Sequence, residues 1–176
     1  MKALALQSEG PRGSRPERPR PVSGKLVLRI SQSDHDLIRR EAERSYPHEC
    51  CGILVGSASG ERRAVSLVVP CDNTRSDAPE RRYSIDPRQI IDAMKLGRSR
   101  GENIVGFYHS HPDHPARYSA TDLAEAHWFD CSYVIVGVEQ GRAGPTQSFL
   151  LAGSEDSKRF EPEEIQIRPA NAPNAI

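Results

Sequence analysis

Short apolar runs alternate with two amphipathic stretches through the middle of the chain, and polar segments separate them. KLVLRI (Lys25–Ile30) predicts a strand, and Ser31 or Ser33 caps a helix running to about Ser45, with Leu37, Ile38 and Ala42 on one stripe. Pro47 interrupts that helix. PHECCG then leads into CGILVG (Cys51–Gly56), a short buried strand, and after the turn SASGER the run RRAVSLVVP (Arg62–Pro70) returns as its hairpin partner. Residues 72–82 read as a polar loop and RYSID as a short strand. Pro87 suits the first turn of a helix over roughly 88–100, with Ile90, Ile91, Met94 and Leu96 supplying much of its apolar face. NIVGFYHSH (Asn103–His111) is the most strand-like run. A polar loop over 112–118 follows, then a short helix after Ser119. SYVIVGV (Ser132–Val138) and TQSFLLAG (Thr146–Gly153) predict two strands joined by GRAG (Gly141–Gly144), and EIQIRP offers one more short strand. The order describes an α/β domain with two or three helices on a sheet of about six strands.

The ends differ from the middle. Residues 1–23 are rich in proline and arginine and show no hydrophobic period, which predicts a disordered basic arm. The domain is expected over 24–155, with a charged tail over 156–176. A length of 176 residues suits one domain. Lysine plus arginine equals aspartate plus glutamate at 24 each, so no broad attraction to nucleic acid or an anionic membrane is expected. No run approaches the roughly 18 apolar residues of a membrane span, and the N-terminus lacks the apolar core of a secretory signal. These points give a cytoplasmic expectation. Cys50, Cys51, Cys71 and Cys131 match no zinc-knuckle or CxxC spacing and are expected as free thiols.

Candidate chemistry concentrates around HSHP. Side chains alternate along a strand, so His109 and His111 share a face with Ser110 opposite. Two such imidazoles can hold one divalent metal. Asp122, in SATD, lies in the first turn of the next helix and can return beside the strand end as a third ligand. Two histidines and one carboxylate leave a coordination position open, as catalytic zinc sites require. Glu49, at a helix-to-strand junction, is the candidate general base. Each piece has a plainer reading. SATD is also a capping box, with Ser119 as N-cap and Asp122 at N3, competing for the same carboxylate. HxH can be a polar strand end, and Glu49 can be simply solvated. Asp113 and His114 read either as rim or substrate-facing residues or as merely exposed ones. His127, five residues past Asp122, fits the ligand face poorly, and Trp128 is expected in the core or an interface. HExxH, GxSxG, GxGxxG and P-loop patterns are absent, and the PCxxC pair of the zinc deaminases is missing.

The combination Glu49, His109-Ser110-His111-Pro112, six residues, Ser119-Ala120-Thr121-Asp122 resembles the JAMM/MPN+ metallopeptidase family over roughly residues 26–152. PHECCGILVG and GFYHSHPDHPARYSATD resemble its small stand-alone prokaryotic branch. The resemblance implies one Zn2+ held by His109, His111 and Asp122, water activated by Glu49, and an oxyanion assisted by Ser119. It implies a cytidine-deaminase-like MPN domain with a curved mixed sheet flanked by helices. The activity implied is hydrolysis of the amide after the C-terminal glycine of a ubiquitin-fold sulfur carrier of the ThiS/MoaD/CysO kind, releasing cysteine. The carrier's tail would lie extended beside a strand edge. Isopeptide cleavage or C-terminal processing of another ubiquitin-like protein, and a non-catalytic MPN scaffold, are the alternatives.

Overall fold

The structure, a computed structural model, describes residues 24–169. The arm over 1–23 and the end of the tail lie outside the described residues. The order of elements is β1 (Val27–Ser31), α1 (Gln32–Ser45), β2 (Cys51–Ser59), β3 (Arg62–Cys71), α2 (Pro87–Ser99), β4 (Asn103–Pro112), α3 (Ala120–Glu125), β5 (Ser132–Glu139), β6 (Arg142–Ala152) and β7 (Arg159–Arg168).

Local chemistry accounts for the helix starts. The Ser31 hydroxyl accepts from the Asp34 N–H, and the Asp86 carboxylate accepts from the Arg88 N–H with Pro87 in the first turn. Three expectations change. RYSID forms no strand; it is an extended connection leading to Asp86. GRAG is not the β5–β6 turn: the chain reverses at Gln140 and Gly141, both at positive φ, and β6 begins at Arg142. Residues 159–168, read largely as charged tail, form a full strand.

That strand closes the sheet. The order β1-β3-β2-β4-β5-β6-β7 returns to β1, giving a closed mixed barrel instead of an open six-stranded layer. β7 runs antiparallel to β6 and parallel to β1. Its charged residues hid it, because few apolar side chains mark it: Phe160 joins one core cluster and Ile165 packs against the other, while Arg159 and Ile167 are exposed. The β1–β3 seam is short, pairing Val27, Leu28 and Arg29 with Arg62, Arg63 and Ala64. From Val65 onward β3 has β2 as its one strand partner among the described residues.

The wall has two apolar faces. Leu28, Leu54, Val65, Tyr108, Val134 and Val136 pack with Ile38 and Ala42 of α1. Ile53, Phe107, Tyr133, Ile135 and Phe149 form the other cluster, covered by Ala93 of α2 and by Leu123 and Ala126 in and after α3. Such burial is worth about 25 cal/mol per Å2 of apolar surface and supplies the main driving force for this arrangement. No helix among the described residues is long and apolar enough to cross a membrane.

Candidate metal centre

β4 carries the first two ligand candidates to the end of the barrel wall. Alternation puts Phe107, His109 and His111 on the α2/α3 face and Ser110 on the other, where its hydroxyl accepts from the Cys50 N–H at 2.8 Å. β2 pairs with β4 so that Cys51 lies opposite His109, and the Ser110 N–H donates to the Cys50 carbonyl. Continued two residues beyond the paired strands, the same register brings Glu49 level with His111, within reach of its charge.

The six-residue loop after Pro112 returns the chain to the same end. Gly137 gives it room: a Cβ there would stand 3.2 Å from the backbone of His114 and Ala116. Helix α3 then starts at Ser119, and both halves of the capping box form. Ser119 Oγ accepts from the Asp122 N–H at 3.1 Å, and the Ser119 N–H donates to Asp122 Oδ2 at 2.6 Å. The cap does not remove the carboxylate from the centre. Asp122 Oδ1 lies 3.4 Å from His109 Nε2, and Oδ2 lies 3.4 Å from His111 Nε2. Capping therefore orients Asp122 instead of competing with it.

The two Nε2 atoms are 3.0 Å apart. Ligand atoms about 2.0–2.1 Å from a shared tetrahedral zinc ion stand roughly 3.3 Å from one another, so the spacing of these three residues fits such an ion. The tautomer also fits. His111 Nδ1 faces the Pro115 carbonyl at 3.1 Å, and a carbonyl only accepts, so the ring proton sits on Nδ1 and the Nε2 lone pair faces the centre. His109 Nδ1 is buried without a hydrogen-bond partner, and the His109 ring is held by Tyr83, stacked on it at 4.7 Å between centroids and 24° between planes.

Charge is balanced within the cluster. Burial alone would raise the Asp122 carboxyl, yet hydrogen bonds and charge from His109 and His111 hold it well below the usual carboxylate range. Burial pushes His109 down. His111 is also opposed by burial, but Asp122 moves it up. Glu49 is 4% exposed, and burial pushes its carboxyl up to about 8. Its Oε2 has no hydrogen-bond partner. Both of its backbone groups are held by the 72–82 loop: its N–H donates to the Pro79 carbonyl at 2.8 Å, and its carbonyl accepts from Asn73 Nδ2 at 3.1 Å.

Asp113 and His114 are exposed and stay outside the ligand group. Asp113 ties the loop down by accepting from the Tyr46 hydroxyl and the Gln140 N–H, each at 2.9 Å. His127 lies past the end of α3, where it meets Glu155 at 3.2 Å. Trp128 tilts against Phe107 in the core cluster. All four cysteines are free.

A cavity of about 210 Å3 adjoins the centre, bounded by Asp122, Tyr83, Trp128 and the guanidinium-bearing residues Arg75, Arg81 and Arg82. Asn73, Tyr83 and these arginines carried no motif in the sequence. The one signal was a loop with arginines and an aromatic residue placed between strand and helix.

Comparison with known proteins follows from this geometry. The family model for prokaryotic homologs of the JAB domain matches residues 31–167. The chain is 35% identical to a desampylase of Haloferax volcanii over 65% of this chain and 81% of that protein. It is 34% identical to a probable TtuB-protein conjugate cleaving protease of Thermus thermophilus over 74% of this chain and 80% of that one. A CysO-cysteine peptidase of Mycobacterium tuberculosis is 26% identical over 62% of this chain and 73% of its own length. A solved structure from Desulfitobacterium hafniense superposes with a TM-score of 0.66 at 29% identity, covering 82% of this chain and 96% of that one.

Proposed function

The chain belongs to the family of prokaryotic JAB-domain homologs and is a JAMM-type hydrolase, and from that premise we propose that it is a zinc metallopeptidase cutting the amide bond at the C-terminal glycine of a ubiquitin-fold protein. The observation that carries this reading is the convergence of His109 Nε2, His111 Nε2 and the Asp122 carboxylate, with buried Glu49 level with His111.

His109, His111 and Asp122 hold the ion. Zinc bound there supplies a Lewis acid that polarises the scissile carbonyl and acidifies water. The elevated proton affinity of Glu49 suits a group that takes a proton from attacking water and passes it to the departing amine. The Ser119 hydroxyl accepts the α3 cap from the Asp122 N–H and keeps its own proton to donate to the developing oxyanion. The open side of β3 past Val65 offers an edge on which an extended tail can pair.

The leaving group has two readings. Release of a C-terminal cysteine from a sulfur carrier is the first. Cleavage of a conjugate is the second, and it is favoured by the higher identity to the desampylase and the conjugate cleaving protease than to the CysO-cysteine peptidase. The test is intact-mass analysis of a carrier bearing a C-terminal cysteine, incubated with zinc-loaded enzyme and with E49Q. Loss of one cysteine with the wild type alone supports the first reading. No mass change on that carrier, together with release from a lysine-linked conjugate, supports the second. No cleavage of either sinks the proposal.

A further inference from the structure

We infer that Arg75, Arg81 and Arg82 form a carboxylate subsite that receives the free C-terminus of the substrate's leaving group. The inference rests on the proposed hydrolysis of a ubiquitin-fold protein's C-terminal amide and specifies what lies beyond the scissile bond.

Position comes first. The cavity shares Asp122 with the ligand cluster, and its wall includes Tyr83, whose ring lies on His109. A group leaving an amide at the centre therefore has this cavity as its immediate neighbour.

Charge comes second. Arg81 is exposed and has no ion-pair partner among the described residues. Arg75 and Arg82 share one carboxylate, Asp77, at 2.9 and 4.0 Å, and Arg75 reaches Glu125 only at 3.7 Å. Asp122 is committed to the histidines. Three guanidiniums thus face two carboxylates, one of them distant, and the surplus is cationic. Guanidinium forks match carboxylates bidentately, whereas a neutral amide offers one uncharged carbonyl acceptor and an ammonium is repelled.

Size comes third. Trp128, with the aromatic core behind it, makes an apolar floor, and about 210 Å3 accommodates a side chain and a carboxylate. A leaving group of one or two residues ending in a free carboxylate therefore matches both the charge and the size of this cavity.

Trp128 is the sole tryptophan of the chain, so its fluorescence reports this cavity. N-acetylalanine and N-acetylalaninamide are titrated into zinc-loaded and chelator-stripped protein, each as wild type and as R81Q/R82Q. Saturable quenching by the carboxylate in both metal states, absent with the amide and weakened roughly tenfold in the variant, is expected for a charge-assisted contact at a partly exposed site. Quenching confined to the zinc-loaded state assigns the carboxylate to the metal and overturns the subsite, as does equal quenching by acid and amide. In a second arm, a carrier ending in cysteine is supplied as free acid and as carboxamide. A kcat/KM ratio of about ten or more, falling toward one in R81Q/R82Q, is expected. Equal rates for the two substrates overturn the subsite while leaving the peptidase intact. No turnover of either, with carboxylate-specific quenching in stripped protein, removes the proposed activity and leaves the subsite standing.

Discussion

The side-chain amide of Asn73 holds the backbone of Glu49 and the two ends of its own loop at once. Nδ2 donates to the carbonyls of Glu49 and Arg82 at 3.1 and 3.0 Å, and Oδ1 accepts from the N–H groups of Arg75 and Ser84 at 3.0 and 3.1 Å. The backbone of the candidate base is therefore fixed by a residue outside the ligand cluster.

Asn73→Ala removes all four contacts and leaves partly buried backbone groups unpaired. The expected cost is about 1–3 kcal/mol of stability together with a fall in kcat, while zinc content stays near one per chain. Asn73→Asp keeps the two acceptor contacts but replaces the donors to Glu49 and Arg82 with an acceptor facing both carbonyls, so its stability and kcat should be no better than those of Asn73→Ala. Urea melts, metal analysis and steady-state kinetics on the same preparations separate these effects. Full kcat in both variants would remove Asn73 from any positioning role.

The Asp122 carboxylate caps α3 and is also proposed to hold the metal, and the two roles can be separated. Asp122→Ala should abolish stoichiometric zinc binding and also remove the half of the α3 capping box that the Ser119 N–H makes with the carboxylate, a loss of about 0.5–1.5 kcal/mol. The stability loss should persist in excess chelator, where metal contributes nothing. His111→Ala should lose the metal without that chelator-independent component of the cap. Undiminished zinc content in both variants would place the ion elsewhere.

Much of this centre was legible because its parts are written locally. Strand alternation fixed the common face of His109 and His111, and a capping box placed Asp122 in a first helical turn. The competition expected between cap and ligand vanished because one carboxylate has enough oxygen lone pairs for both. The supporting residues were not legible. Asn73 and Tyr83 act across 24 and 26 residues of sequence, on Glu49 and His109, through a loop with no period of its own. β7 was underestimated for a related reason: its run of charged residues, one of them the buried Glu163, masks the apolar positions, and its role in closing the barrel depends on pairing with β1, the first strand of the sequence.

Tyr83 is expected to act through its ring. Ligating histidines usually donate their second N–H to a carbonyl or carboxylate, and loss of such support costs about 10–100-fold in metal affinity. His109 Nδ1 has no such partner, and the stacked Tyr83 ring is what fixes the imidazole plane. Tyr83→Phe should keep wild-type zinc affinity in a chelator competition, and Tyr83→Ala should weaken it about 10–100-fold. Equal affinity in all three proteins would show that packing by β4 alone holds the ring.

A buried carboxylate far from the centre sets a pH dependence of stability. Glu163 on β7 is 7% exposed; its Oε2 accepts from the Ser148 hydroxyl at 2.6 Å and its Oε1 has no partner. Burial raises its pKa, and the Ser148 and Ser132 hydroxyls and the charge of Arg63 offset only part of that. The sign follows by linkage. In the unfolded chain a glutamate ionises near about 4.3, and in the folded protein Glu163 holds its proton to higher pH. The folded state binds more protons in that window, so this residue's contribution to stability is full below the unfolded value and is lost as pH rises through the folded one. Glu163→Gln keeps the shape and an acceptor for Ser148 without the ionisation. Its Tm should match the wild type near pH 4 and exceed it progressively toward pH 8. A wild-type advantage that grows with pH would mean that the ionised Glu163–Arg63 attraction outweighs the burial cost.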